Sequence, residues 1–326
     1  MLTTKYLMQS CKDVPDTWIF EHYCNTGEAL TGQDIKITSV FNTKERTPSM
    51  CIFYSQEKSR YMFKDFSTGK GGSAIRLVQD LFNESFHEAS QRILGDYNRF
   101  ILLNNGTHHK ITEFKVRSKY KVTEQQVRSW NTRDKYFWQQ FHIGSKLLEY
   151  YQIRPLQSYK MTKEEDGETK SLTIEGPFLY GYFKKDGTLY KIYQPMVKTH
   201  KFIKVRDYLQ GSEQLEGSPL LIIASSLKDS MVIKSLGVQA DFLVPDSENT
   251  TIKPEKIKEL QQQYSRILTL FDNDDAGIAA MQKYKELYGI QYVYFHIEKD
   301  VADAVKAHGP DKIRTVLVPL INKKIN

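Results

Sequence analysis

The stretch "RILTLFDNDDAG", Arg266 to Gly277, decides how this chain is read. An apolar run ending at Phe271 gives way to Asp272, Asn273, Asp274 and Asp275, then to small residues. A short apolar run bounded by a turn reads as a buried strand. Asp272 and Asp274 stand two apart, so their side chains share one side while the chain stays extended. Adjacent carboxylates raise one another's pKa unless a cation lies between them. A hard divalent ion with oxygen ligands, such as Mg2+, resolves that repulsion. Helix capping is the competing explanation, because an Asp before a helix accepts from its first N–H groups and the helix dipole favours acids there. Three acids in four residues behind a buried strand favour the ion. Ala276, Gly277, Ala279 and Ala280 keep the following helix thin enough to lie close to the sheet.

Outward from this stretch, residues 218–326 alternate in period. "PLLIIA", "ADFLV", "RILTLF" and "QYVYFHI" read as strands. "SLKDSMVIKSLG", "KPEKIKELQQQY" and "AGIAAMQKYKELYG" read as helices, and a final helix starts near Val301. Strand and helix in strict alternation predict an open, mostly parallel α/β sheet. Chemistry in such sheets gathers at the carboxyl ends of strands. Further acids fall there: Glu248 after "ADFLV", and Asp300 and Asp303 after "QYVYFHI". Each alone reads as a solvated loop acid, but carboxylates from neighbouring strand ends could converge on one ion.

The amino-terminal part reads differently. "DTWIFEHYC" is a helix, "DIKITSVF" a strand, and "PSMCIFYSQEKSRYMFKDFS" a hairpin. "STGKGGSAIRLVQDLF" leads from a glycine turn into an amphipathic helix, and "SFHEASQRIL" gives a second helix ending at Gly95. Residues 96–134 read as a basic linker or loosely structured connector with possible short strands. From Lys135, two short helices precede a meander, "PFLYGYFKKDGTLYKIYQPM", that turns at Asp186-Gly187.

Of the 326 residues, 40% are hydrophobic and 26% charged, an ordinary globular composition. The longest apolar run, "PLLIIA", is too short to span a bilayer, and "MLTTKYLMQSCKD" lacks the apolar core of a signal peptide. A cytoplasmic protein with no membrane partner is expected. The net charge of +7 suits a polyanionic partner. Lys184 to Arg206 holds seven basic residues and one acid, interleaved with Tyr190, Tyr193 and Phe202. Basic residues alternating with rings can hold phosphates and stack on bases. Three cysteines without a CxxC pair argue against a disulfide framework or a thiolate-rich zinc site.

These pieces together resemble DnaG-type and phage-type DNA primases. "PLLIIASSLKDSMVIKSLG", "FDNDDAGIAA" and "EKDVADAV" resemble a Toprim domain, with Asp272, Asp274 and Gly277 matching its DxDxxG motif. Asp300 or Asp303 matches a further acidic position of the primases. "NTKERTPSM" and "FKDFSTGKGGSAIRLVQDL" resemble the primase zinc ribbon, C-P-x-H-x-E-K-T-P-S-F followed by C-x-x-C-G-x-G-G-x-A-I. Its ligand positions fall on Val40, Thr43, Asp65 and Thr68, so no zinc is expected. The ribbon must then hold itself by a core drawn from Met50, Ile52, Phe53, Tyr61, Phe63 and Phe66. The Glu that ends the first Toprim strand, four residues before an Asp, falls on Ser225, with Asp229 as that Asp. Glu248 is the first candidate to take over its role.

The resemblance implies an α+β N-terminal module, zinc-ribbon-like but without zinc, followed by a mixed α/β primase core with a Toprim-type sheet. The expected domains are 1–95 (ribbon-like), 96–134 (linker), 135–217 (basic subdomain of the core) and 218–326 (Toprim). It implies RNA primer synthesis on single-stranded DNA from ribonucleoside triphosphates, with Mg2+ or Mn2+ held by Asp272 and Asp274 with Asp300 or Asp303. Lys191, Lys198, Lys201, Lys204 and Arg206 would line the template and triphosphate path. Lys228 would come within reach of a phosphate, and Arg46, Arg60 and Lys64 would grip single-stranded DNA. No GxxxxGK[ST] run occurs, so the replicative helicase is expected to be a separate chain, and a phage or mobile element fits as a source. Two other functions stay open: a Toprim nuclease, and a non-catalytic single-strand-binding replication factor.

Overall fold

Two units divide the chain, residues 1–119 and 120–326. The computed structural model describes residues 7–42, 45–109, 120–165, 168–245 and 251–325. The first unit contains α1 (Asp16–Cys24), β1 (Ile35–Ile37), β2 (Met50–Ser55), β3 (Arg60–Asp65), β4 (Gly71–Ser73), α2 (Ala74–Phe82) and α3 (Phe86–Leu103). The strands form an antiparallel sheet in the order β1-β2-β3-β4. Ser73 caps α2, and Ser85 with Glu88 forms a capping box on α3. Helix α3 runs past Gly95, where the sequence reading ends it. Ala89, Ile93, Tyr97 and Ile101 recur every four residues and are all buried, and that packing outweighs the roughly 1 kcal/mol cost of a helical glycine. Met50, Ile52, Tyr61 and Phe63 do lie in the core beneath α1 and α2. Phe53 is only half-buried, and Phe66 is 50% exposed, because it stands beyond the end of β3.

A polar clasp supplements this core. Asp65 is fully buried at the end of β3. Its Oδ2 accepts from the hydroxyls of Thr68 (2.5 Å) and Ser39 (2.7 Å). Its Oδ1 accepts from the N–H and hydroxyl of Ser67 (3.0 and 2.9 Å) and from the Ser49 hydroxyl (3.3 Å). The Glu45 carboxylate joins in, accepting from the Ser39 N–H and the Ser49 hydroxyl. Two of the positions where the ribbon pattern carries metal ligands, Asp65 and Thr68, are thus bonded to each other. Burial works against the Asp65 charge, but the hydroxyls of Thr68, Ser39 and Ser67 outweigh it and hold the carboxyl below its usual range. Asp65→Ala removes the acceptor and strands several buried donors, for an expected loss of about 2–3 kcal/mol. Calorimetry should show the melting transition of this unit falling by several degrees. Because the folded pKa is depressed, the clasp contributes fully above the unfolded carboxylate range and is lost as pH falls through the folded value.

The second unit begins with β5 (Lys121–Val127), α4 (Thr132–Gln139), α5 (Ser145–Tyr150), β6 (Ile153–Glu165), β7 (Glu168–Glu175), β8 (Tyr180–Phe183), β9 (Leu189–Tyr193) and β10 (Phe202–Lys204). Its antiparallel sheet runs β10-β9-β8-β6-β5, with β7 also paired to β6. Two of these strands depart from the sequence reading. β5 falls in the connector, where that reading allows short strands, while β6 and β7 have no counterpart in it. β5 and β7 are exposed on both faces, so they show no apolar alternation. Their ladders to β6 hold them in place. The buried Asp134 anchors this region. It receives two hydrogen bonds from the Arg128 guanidinium, one from the Asn131 N–H and one from the Tyr180 hydroxyl.

The unit continues with β11 (Leu220–Ala224), α6 (Leu227–Ser235), β12 (Asp241–Leu243), α7 (Pro254–Gln263), β13 (Arg266–Leu270), α8 (Asp275–Tyr288), β14 (Gln291–Tyr292), α9 (Val301–His308) and α10 (Pro310–Ile325). The four strands pair in parallel in the order β12-β11-β13-β14. β11 is central and buried throughout, as a strand covered on both faces must be. Leu220, Ile222 and Ala224 face α6, α9 and α10, while Leu221 and Ile223 face α7 and α8. β14 keeps only two residues of the run "QYVYFHI", and the last stretch holds two helices where one was expected. No helix among the described residues is long and apolar enough to cross a membrane.

Candidate metal centre

Three strand ends deliver three carboxylates to one point. β11 ends at Ala224, and Ser226 then caps α6, which places Asp229 in its first turn. β13 leads through Phe271 to Asp272. Beyond β14, Asp300 caps α9 by accepting from the Asp303 N–H at 2.6 Å. Carboxylate oxygens of Asp229, Asp272 and Asp300 all lie within 4.8 Å of one another. Mg2+ takes oxygens at about 2.1 Å, so ligands on opposite sides of one ion stand about 4.2 Å apart. The separations exceed that span by no more than about 0.6 Å, within reach of small side-chain adjustments. The donors are all hard oxygens, so the residues present fit such an ion.

The electrostatics show what the cluster costs without a cation. Asp229 is 2% exposed, and burial, then the nearby Asp300, pushes its carboxyl up to about 7. Its Oδ1 accepts from the Ala302 N–H at 3.0 Å, and the Ser226 hydroxyl donates to its Oδ2. Burial also raises Asp272, Ser225 opposes that rise by hydrogen bonding, and Asp300 adds to it. Asp229 therefore completes the trio, although the sequence marks it only as the partner of the missing Glu. Its Ser-x-x-Asp setting reads as helix capping, and that signal masks it. Ser225 itself adds no carboxylate.

Asp274 also does what the capping explanation describes. Its Oδ1 accepts from the Gly277 N–H at 2.9 Å and caps α8, and its Oδ2 faces Lys299 Nζ at 3.1 Å. Burial works against its charge, but Gly277 and Lys299 outweigh it, so its carboxyl sits below the usual range. It stands beside the trio and outside it. Asp303 is half exposed and 4.0 Å from Lys228, so of the two alternatives Asp300 is the one brought to the cluster. Glu248 lies outside the described residues.

The motif glycine has a steric cause. A Cβ on Gly277 would sit 2.2 Å from the Asp272 carbonyl oxygen and 3.0 Å from its backbone nitrogen. α8 can therefore pack against the acid loop only through a glycine. Gly277→Ala must push Asp272 away. The expected cost is about 1–3 kcal/mol in a thermal melt, together with weaker Mn2+ binding by titration.

Lys228 is placed among acids. Its Nζ lies 3.7 Å from Asp300 Oδ2 and 4.8 Å above the Phe141 ring. Burial lowers its pKa, but Asp229 and Asp300 outweigh that and keep it charged. Tyr193, at the end of β9, is held above its usual range by burial, with Lys228 opposing that rise and Asp300 adding to it. There Phe202 stacks on Tyr193 at 4.6 Å, and Lys191 covers the Phe202 ring. Lys198, Lys201 and Arg206 are exposed, while Lys204 pairs with Asp207. In the first unit, Arg46 is exposed. Arg60 is engaged in two hydrogen bonds to Asp16, and Lys64 donates to the Gly69 carbonyl. The first of these ties is structural, so Arg60 is less available to a nucleic acid than its sequence setting suggests.

No family model and no curated protein matches the chain. Among solved structures, the crystal structure of the Aquifex aeolicus primase, comprising its zinc-binding and RNA polymerase domains, is similar over 97% of this chain and 86% of its own, with 16% identity and a TM-score of 0.42. The primase fragment of the bacteriophage T7 primase-helicase protein is similar over 85% of this chain and 96% of its own, with 12% identity and a TM-score of 0.38. A third similar chain comes from the bacteriophage T7 assembly in which lagging-strand DNA polymerase interacts with primase domains bound to an RNA/DNA hybrid and dTTP. It covers 62% of this chain and 92% of its own, with 12% identity and a TM-score of 0.37.

Proposed function

We propose that the chain is a primase-type nucleotidyltransferase, with a Toprim-like sheet that joins ribonucleotides on a single-stranded DNA template. The observation that carries this reading is the meeting of Asp229, Asp272 and Asp300 at the carboxyl end of a parallel sheet. The reaction forms a bond from a 3′-oxygen to an α-phosphorus and releases pyrophosphate. A Mg2+ or Mn2+ ion held by the three carboxylates supplies charge neutralisation to the phosphate oxygens. The chain's own residues position the groups. Ser225 orients Asp272, and Lys228, fixed on Phe141, orients Asp300. Beside the Tyr193–Phe202 stack, Lys191, Lys198, Lys201 and Arg206 offer charge to phosphates. The replicative helicase would be a separate partner, and Arg46 a contact for single-stranded DNA.

The serine at position 225 favours a second reading, a primase-like factor that binds single strands without catalysis. An end-labelled single-stranded template incubated with ribonucleotides and Mn2+ separates the two. Pyrophosphate release with the template intact supports polymerisation. A shortened template would indicate a nuclease, and binding without either product would indicate the non-catalytic factor.

A further inference from the structure

Lys299 directly precedes Asp300, and its carbonyl accepts from the Asn273 N–H at 2.7 Å. Its backbone is therefore tied to the loop between Asp272 and Asp274. The side chain turns back over that loop, with Nζ 3.1 Å from Asp274 Oδ2 and 3.6 Å from Asp272 Oδ2. An ammonium thus already occupies one side of a carboxylate that a divalent ion would need. The two lysines near the cluster differ in how firmly they are held. Lys228 is 13% exposed and lies against the Phe141 ring. Lys299 is 60% exposed. Ion pairs at such exposure are weak and readily exchanged.

We propose that Lys299 is a place-holding cation. It neutralises Asp272 and Asp274 until a divalent ion enters, and the ammonium then released takes the phosphate chain of the incoming nucleotide. This rests on the reading of Asp229, Asp272 and Asp300 as an ion cage. The logic is charge balance. The entering ion takes over Asp272, so the lysine loses part of its counter-charge just as phosphates bring in new negative charge. Its flexible stem, anchored by the backbone bond to Asn273, keeps the ammonium within reach of them. A lysine binds phosphate as a point charge and needs no fixed fork geometry for this. The two functions predict opposite effects of one substitution.

The test uses the full chain and two probes, Mn2+ followed by electron paramagnetic resonance and tripolyphosphate followed by calorimetry at saturating Mn2+. Lys299→Met should bind Mn2+ about three- to tenfold more tightly, because a competing cation is gone, and tripolyphosphate about tenfold more weakly. Lys306→Met is the control, since that ammonium faces the Phe141 ring. It should stay within about twofold of the parent in both titrations. Unchanged Mn2+ affinity in Lys299→Met, an equal gain in the control, or unchanged tripolyphosphate affinity overturns the proposal while leaving the ion cage standing. Failure of the parent chain to bind Mn2+ at all overturns the cage reading, and the proposal with it.

Discussion

Asp229→Asn combined with Asp272→Asn should lower metal-dependent primer synthesis by about three orders of magnitude or more, with single-stranded DNA binding nearly unchanged. The two residues supply two of the three converging carboxylates. Amides keep the shape of the side chains but remove the charge that would hold an ion. The fold should survive. Burial and the nearby Asp300 already disfavour the charged form of Asp229, so a neutral amide of the same shape costs the fold little there. The two amides would also relieve the like-charge repulsion that Asp300 meets in the parent protein. The melting temperature is therefore expected to hold or rise while activity disappears, the usual direction when a strained site is neutralised. A fall in stability alongside the lost activity would mean that these acids serve the fold. Primer yield on a single-stranded template and a thermal melt, run on the same preparation, decide between the two.

Arg128→Met should produce the largest loss of stability. Asp134 is fully buried, and Arg128 provides two of its four hydrogen bonds as well as its counter-charge. Removing one member of a buried pair typically costs about 3–5 kcal/mol. The lower end applies here, because Asn131 and Tyr180 remain and Arg128 is itself partly exposed. About 3 kcal/mol corresponds to roughly 6–12 °C in a unit of this size. The pH dependence gives the sign. In the parent protein burial works against the Asp134 charge, Arg128 outweighs it, and the carboxyl lies below its usual range. Its contribution is therefore present at neutral pH and lost as pH falls through that depressed value. Without Arg128, burial prevails and the carboxyl rises. The gap between variant and parent should be widest near pH 7 and narrow towards pH 4. A constant gap across that range would place the loss in packing.

The legible parts of this chain are those whose residues repeat a period. "PLLIIA" reads as a strand buried on both faces because five consecutive residues are apolar, and β11 is such a strand. "DTWIFEHYC" and the hairpin around "SQEKS" are equally plain, and α1, β2 and β3 match them. β7 is not legible, and β5 only as a possible short strand, because strands wetted on both faces carry no alternation. At the site, the acid run at 272–275 draws attention to the loop that carries Asp272 to the carboxylate cluster. It does not reveal that Asp274 spends one oxygen on capping α8 while Asp229, hidden in a capping pattern, turns inward. Capping and ligation use the same residues at the same spacing, and only the approach of three strand ends separates them. The clasp around Asp65 is invisible for a similar reason. Its serines and threonine are ordinary loop residues until the fold gathers them around one buried carboxylate.

The question left at Ser225 also changes. A missing carboxylate at the end of β11 would leave an ion cage incomplete if the cage depended on that position. Asp229, Asp272 and Asp300 meet without it, and Ser225 opposes the rise that burial imposes on Asp272. The central claim is that this trio supports nucleotidyl transfer. Its most direct test is incubation of the chain with unprimed single-stranded DNA, ribonucleotides carrying a labelled α-phosphate, and Mg2+ or Mn2+. The expected result is short, alkali-labile labelled oligomers that disappear in Asp272→Asn. Label that stays entirely in free nucleotide with both metals, or oligomers that persist undiminished in Asp272→Asn, would contradict it.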